Sequence, residues 1–129
     1  MAAMILYGTV TSPYVRRVRV VAAELGVAVE MVDVFEREGQ ARMRAVNPLW
    51  RIPTAELDGV ALFDSTVITR HLLRTHGPAP LAAWDPANVA MQNFVTVIDG
   101  ALDTAINLFY LSKDDVTPAQ SSYVAKQVE

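Results

Sequence analysis

Thr11-Ser12-Pro13-Tyr14-Val15-Arg16-Arg17-Val18-Arg19 follows closely on the apolar run Met4-Ile5-Leu6-Tyr7. A buried strand ends there, a turn of hydroxyl side chains follows, and a helix begins with proline as its first residue. Ser12 has the side chain of an N-cap, and Pro13 suits the first helical position because its missing N–H would be unpaired there anyway. Val15, Val18, Ala22 and Leu25 recur at helical spacing, with Arg16, Arg17, Arg19 and Glu24 off that stripe. Such a junction offers free backbone N–H groups and the positive end of a helix dipole to an anion. Read alone, Ser12 is better taken as a helix cap with no further role.

Outward from this point the chain reads in order. Met4 to Val10 is a nearly all-apolar strand, covered on both faces, and the Ser12 helix runs to Gly26. Val27 to Val34 is a second strand, so strand, helix and strand form a right-handed βαβ unit with parallel strands. Glu36 to Val46 is charged and helix-permissive, and Asn47-Pro48 stops it. Ile52 to Leu57 and Val60 to Phe63 are short strands joined by Asp58-Gly59, a strong hairpin signal. Pro53 cannot donate to a ladder, which places it at a strand's first residue or on an edge. Asp64-Ser65-Thr66 opens a helix to about His76, and Gly77-Pro78-Ala79-Pro80 is a stop. This assigns residues 1–77 to one α/β domain, β-α-β-α-β-β-α, and 78–84 to a linker. Residues 85–129 are then the start of an all-α domain. There Asp85-Pro86 begins a long amphipathic helix to about Ser112, with Met91, Phe94, Val95, Ile98, Leu102, Ala105, Ile106 and Phe109 as its stripe. Thr117-Pro118-Ala119-Gln120 fits a capping box opening a last helix.

Composition excludes several function classes. With 129 residues, net charge −3 and 52% hydrophobic residues, the chain has ample core for one domain but no footprint for nucleic acid or an anionic membrane. Positive charge is local: Arg16, Arg17, Arg19, Arg37, Arg42, Arg44 and Arg51 fall in one third of the chain. No apolar run approaches the roughly 20 residues of a membrane span, and no signal-peptide pattern opens the sequence, so a cytoplasmic location is expected. Cysteine is absent, which excludes disulfides, thiolate metal sites and redox chemistry on the protein's own thiols. His71 and His76 are five apart on a helix and miss the spacing of two ligands on one face, so no metal is expected.

Three stretches in this order carry a family resemblance: residues 6–19 (LYGTVTSPYVRRVR), 47–59 (NPLWRIPTAELDG) and 62–68 (LFDSTVI). The chain resembles the glutathione S-transferases, whose first domain is thioredoxin-like, and within them the serine-type branches. The match runs from Met4 to His76. The helix from Asp85 is similar to the first helix of the family's second domain, and the sequence is expected to stop within the second helix of that domain.

The resemblance implies glutathione as co-substrate and assigns roles. Glutathione is an extended tripeptide with a carboxylate at each end and a thiol between. Its backbone would add alongside Ile52, before a Pro53 that is cis in the family, by β-augmentation. Ser65 and the free N–H groups of its helix would bind the γ-glutamyl carboxylate, with Asp64 facing the γ-glutamyl amine; a plain helix cap is the same local structure. Arg51 would reach the glycyl carboxylate, or stand as a solvated arginine beside the bulky Trp50. Ser12 would donate a hydrogen bond to the sulfur. A free thiol near pKa ~8.5 is only a few per cent ionised at neutral pH, and lowering that by ~2 units takes about 2.7 kcal/mol of thiolate stabilisation. Tyr7 is the rival donor, read here as core, and Thr9 and Thr11 are weaker rivals. The activity implied is glutathione transfer to a small electrophile, or isomerisation. A non-catalytic interaction module of the same fold and an inactive fragment are the alternatives. The long stripe of the Asp85 helix, together with the family's habit, implies a homodimer.

Overall fold

In the computed structural model, which describes residues 3–128, the apolar run forms β1 (Met4–Gly8). Its side chains alternate between two buried faces. Met4 and Leu6 join one cluster with Val15, Val18 and Ala22 of α1 (Pro13–Glu24), and with Ile68 and Leu72 of α3 (Ser65–His76). Ile5 and Tyr7 join a second with Val32 of β2 (Val29–Asp33) and Met43 of α2 (Arg37–Val46). Cover on both faces explains why β1 is apolar along its whole length. With β3 (Thr54–Leu57) and β4 (Val60–Phe63), the sheet order is β2-β1-β3-β4. β1 and β2 run parallel, while β3 and β4 form an antiparallel hairpin on β1. This is the expected thioredoxin-like β-α-β-α-β-β-α order.

The hairpin turns at Asp58 (φ 51) and Gly59 (φ 77). Positive φ at both central residues is what a type I′ turn requires. Pro53 stands outside the ladder. β3 begins one residue later, at Thr54, because an interior strand has no room for a residue lacking an N–H. α2 approaches β2 so closely that a Cβ on Gly39 would collide with the Asp33 carbonyl oxygen.

The chain divides into two compact units, Met1–Trp84 and Asp85–Glu129. The second holds α4 (Val89–Lys113) and α5 (Ser122–Gln127). α4 starts later than Asp85-Pro86 suggests: Asp85 Oδ1 accepts from the Ala87 N–H at 2.8 Å in a local turn, and Asn88 caps the helix by accepting from Met91 N–H at 2.9 Å. The Thr117 to Gln120 box also forms without opening a helix. Gln120 Oε1 accepts from Thr117 N–H at 2.9 Å, but Ser121 is the cap of α5. α4 buries none of its residues completely, and Phe94, Ile98 and Phe109 of the expected stripe are exposed. At 25 residues, with a window averaging a hydropathy of 1.4, α4 is by length and composition able to cross a membrane. That corrects the expectation that no segment reaches this threshold, although Asp99 and Asp103 would be costly within a bilayer.

Gly39→Ala is expected to cost about 1–3 kcal/mol, because the obstruction is backbone. Gly100→Ala in α4, where an added Cβ meets nothing within 4 Å, is expected to stabilise its helix by about 0.5–1 kcal/mol. Urea unfolding of both variants checks the contrast.

Candidate functional site

The cross-strand register Tyr7↔Thr54↔Phe63 aligns the end of β1, the start of β3 and the end of β4 at one end of the sheet. Three segments therefore emerge side by side: the turn into α1 with Ser12, the Arg51-Ile52-Pro53 segment, and the Asp64-Ser65 turn into α3. α1 and α3 pack on the same face and both start here, so two positive helix ends meet at one rim. Arg17, which the sequence places off the apolar stripe, has Nη1 3.5 Å from Thr66 Oγ1 and ties α1 to the first turn of α3.

Ser12 is the N-cap of α1, half-buried, and its Oγ accepts from the Val15 N–H at 3.3 Å. The bond uses an oxygen lone pair and leaves the hydroxyl proton available to donate. Thr9 and Thr11 face each other, Oγ1 to Oγ1 at 3.3 Å, with Thr9 buried.

Asp64 has φ 78 and ψ 134, a conformation L-residues rarely adopt, and its Oδ1 accepts from Thr66 N–H at 2.8 Å. Backbone strain of this kind costs about 1–3 kcal/mol and gathers at functional sites. Ser65 is 4% exposed, and among the described residues nothing accepts from its backbone N–H. The turn thus presents an exposed carboxylate next to an open helix N-terminus.

Ile52-Pro53 is a cis peptide. Pro53 is buried, Ile52 is half-buried and Arg51 is exposed. What holds this segment escaped the sequence reading. Asn47 is 1% exposed and Thr54 is 0% exposed. Asn47 Oδ1 accepts from Leu49 N–H at 2.8 Å, and its Nδ2 donates to Arg51 O at 3.2 Å and Thr54 Oγ1 at 2.8 Å. Thr54 Oγ1 in turn donates to Arg51 O at 2.8 Å. The Asn47 carbonyl accepts from Trp50 N–H at 3.1 Å, closing a turn in which Trp50 has φ 54 and lies under the Arg44 guanidinium at 4.6 Å. The available signal was the helix-ending Asn47-Pro48 pair, read only as a stop.

Tyr7, the rival donor that the sequence reads as core, is buried in the core. Its side chain lies on the α2 face of the sheet, 2% exposed, and its hydroxyl donates to the Glu56 carboxylate. Burial, the bond to Glu56 and that carboxylate's charge raise its pKa from 10.0, against a smaller lowering by Arg42, whose guanidinium lies 5.6 Å from the ring.

Such an arrangement places two helix N-termini at one rim of a thioredoxin-like domain. Residues 6–80 match the family model of the glutathione S-transferase N-terminal domain, and the chain belongs to the glutathione S-transferase family. Glutathione S-transferase 4 of Zea mays is 35% identical over 89 residues, covering 67% of this chain and 40% of that protein. A Methylobacillus flagellatus glutathione S-transferase, solved with GSH bound, is 32% identical with a TM-score of 0.74, covering 98% of this chain and 63% of that one. A Methylobacterium radiotolerans glutathione S-transferase, in complex with glutathione sulfonate, is 27% identical with a TM-score of 0.79, covering 98% and 60%. The chain spans 40% to 52% of the length of the curated relatives it matches.

The raised phenol pKa has a defined consequence. Between 10.0 and the folded value, the folded state keeps a proton that the unfolded chain has lost. Tyr7's contribution to stability is therefore complete below pH 10.0 and lost as pH rises through the folded value. In ultraviolet absorbance titration one of the four tyrosines is expected to ionise late, and Tyr7→Phe to remove that step.

Proposed function

We propose that this chain binds glutathione at the rim formed by Ser12, Arg51, Ile52, Pro53, Asp64 and Ser65, and activates its thiol for transfer to a small electrophile. The observation that carries the reading is the register: one line of paired residues, Tyr7↔Thr54↔Phe63, brings three separate segments and two helix N-termini together. Their chemistry matches an extended tripeptide with a carboxylate at each end. The open first turn of α3 at Ser65 suits the γ-glutamyl carboxylate, and the Asp64 carboxylate suits the adjacent ammonium. The Ile52 backbone suits the cysteinyl backbone, and the exposed Arg51 suits the glycyl carboxylate.

Ser12 then acts as a donor to sulfur. Its hydroxyl proton is unspent, and the α1 N-terminus behind it favours the thiolate over the thiol. Ser12 is not a nucleophile in this reading, because among the described residues no histidine is hydrogen-bonded to it. The thiolate attacks the electrophilic carbon, the new bond forms at sulfur, and the leaving group or added proton balances the charge. We further propose a homodimer in which the exposed apolar residues of α4 are covered, since Phe94, Val97 and Phe109 are each at least half exposed.

Ser12→Ala is expected to raise the pKa of bound glutathione by about 1–2 units while removing a cap worth ~1 kcal/mol of stability. Ser65→Ala is expected to weaken glutathione binding and leave that pKa nearly unchanged. Ultraviolet titration of the bound thiolate and calorimetry check the pair; equal binding by wild type and Ser65→Ala refutes the placement of the γ-glutamyl end. Light scattering is expected to give twice the 14.1 kDa mass of the chain, and a monomer at micromolar concentration refutes the dimer.

A further inference from the structure

The Arg51 carbonyl is turned inward, where the buried Asn47 amide and Thr54 hydroxyl both donate to it. The Arg51–Ile52 peptide is not among the cis bonds. In a trans peptide the C=O and the following N–H point to opposite sides of the same plane. Anchoring the carbonyl therefore aims the Ile52 N–H away from Asn47 and Thr54, and among the described residues nothing accepts from it. The same amide holds the Leu49 N–H at 2.8 Å. That keeps the turn around Trp50 in its φ 54 conformation, one a bulky residue does not hold without support.

We propose that Asn47 and Thr54 are a positioning pair for the ligand-binding reaction, which sets the plane of the Arg51–Ile52 peptide so that the Ile52 N–H faces an extended peptide ligand. This rests on the glutathione reading for the identity of that ligand. Neither side chain touches the ligand; both act through one carbonyl. Thr54 is suited to this because one hydroxyl accepts from Asn47 Nδ2 and donates to Arg51 O, both at 2.8 Å, so the three groups form a closed loop without a spare donor.

The test compares Thr54→Val, which keeps the shape and loses the hydroxyl, with Thr54→Ser, which keeps the hydroxyl. Asn47→Asp keeps the acceptor for Leu49 N–H and loses both Nδ2 donations. Thr54→Val and Asn47→Asp are expected to weaken glutathione binding about 10-fold, the worth of a hydrogen bond near 1.4 kcal/mol. Thr54→Ser is expected to stay within about two-fold, and the bound thiol's pKa to remain that of wild type in all three because Ser12 is untouched. Ile68→Val, in the cluster on the other face of the sheet, serves as a destabilised control expected to bind like wild type. Hydrogen exchange read residue by residue gives a measurement that needs no ligand. The Leu49 and Trp50 amides are expected to lose protection in Thr54→Val and to keep it in Thr54→Ser and Ile68→Val. If wild type fails to bind glutathione, the functional reading falls and the exchange result alone decides the positioning claim. Unchanged binding or full amide protection in Thr54→Val overturns it.

Discussion

The antiparallel pairing of β1 with β3 is the constraint on which this molecule depends. Ile5, Leu6 and Tyr7 stand opposite Glu56, Ala55 and Thr54, and a shift of one residue would turn every side chain of β3 to the wrong face. Leu57 and Ala55 would leave the α1–α3 cluster, and Glu56 would enter it. The pairing that builds the core also delivers Pro53 and Ile52 to the level where β1 gives way to α1. Core formation and site assembly are therefore one event in this domain, and no separate interaction is needed to bring the three rim segments together.

The two faces of the sheet divide the polar work. On the α1–α3 face the helix starts are left open, with Ser12, Ser65 and Arg17 around them. On the α2 face the polar side chains are consumed internally: Tyr7 by Glu56, and Thr54 by Asn47 and Arg51. Low local dielectric strengthens such closed networks and penalises any member left unpaired. Among the described residues no buried side-chain nitrogen or oxygen lacks a partner. Polar groups on the α2 face thus hold shape, while on the other face two helix starts stand side by side.

Elements whose cause is local were legible in the sequence. Ser12-Pro13 marks a helix start by the chemistry of its own two residues, and Asp58-Gly59 marks a type I′ turn in the same way. The α/β order followed from local signals: the apolar run of β1, the helical stripe of α1, and the turn and cap residues that bound the other elements. Asn47 was not legible, because its partners Arg51 and Thr54 are neighbours only once the turn has closed. Tyr7 was read as core, but its bond to Glu56 crosses 49 positions of sequence and leaves no periodic trace. In α4 the stripe was visible and its burial was not: amphipathicity records what a helix face prefers, and exposed Phe94 and Ile98 are set by what lies against it. Of the rim, the residue types were readable through family likeness, whereas the peptide plane that aims Ile52 is a tertiary property.

The β3–β4 hairpin has a practical side. Its turn at Asp58-Gly59 lies at the opposite end of the sheet from Ser12 and Ser65, since Leu57 pairs with Val60 while Thr54 pairs with Phe63. Both turn residues are exposed, and nothing lies within 4 Å of where a Gly59 Cβ would stand. Exposed loop tips of this sort tolerate inserted chain. The hairpin is accordingly a natural attachment point for a fluorophore, an epitope or a surface tether, one that leaves the rim facing away from the support.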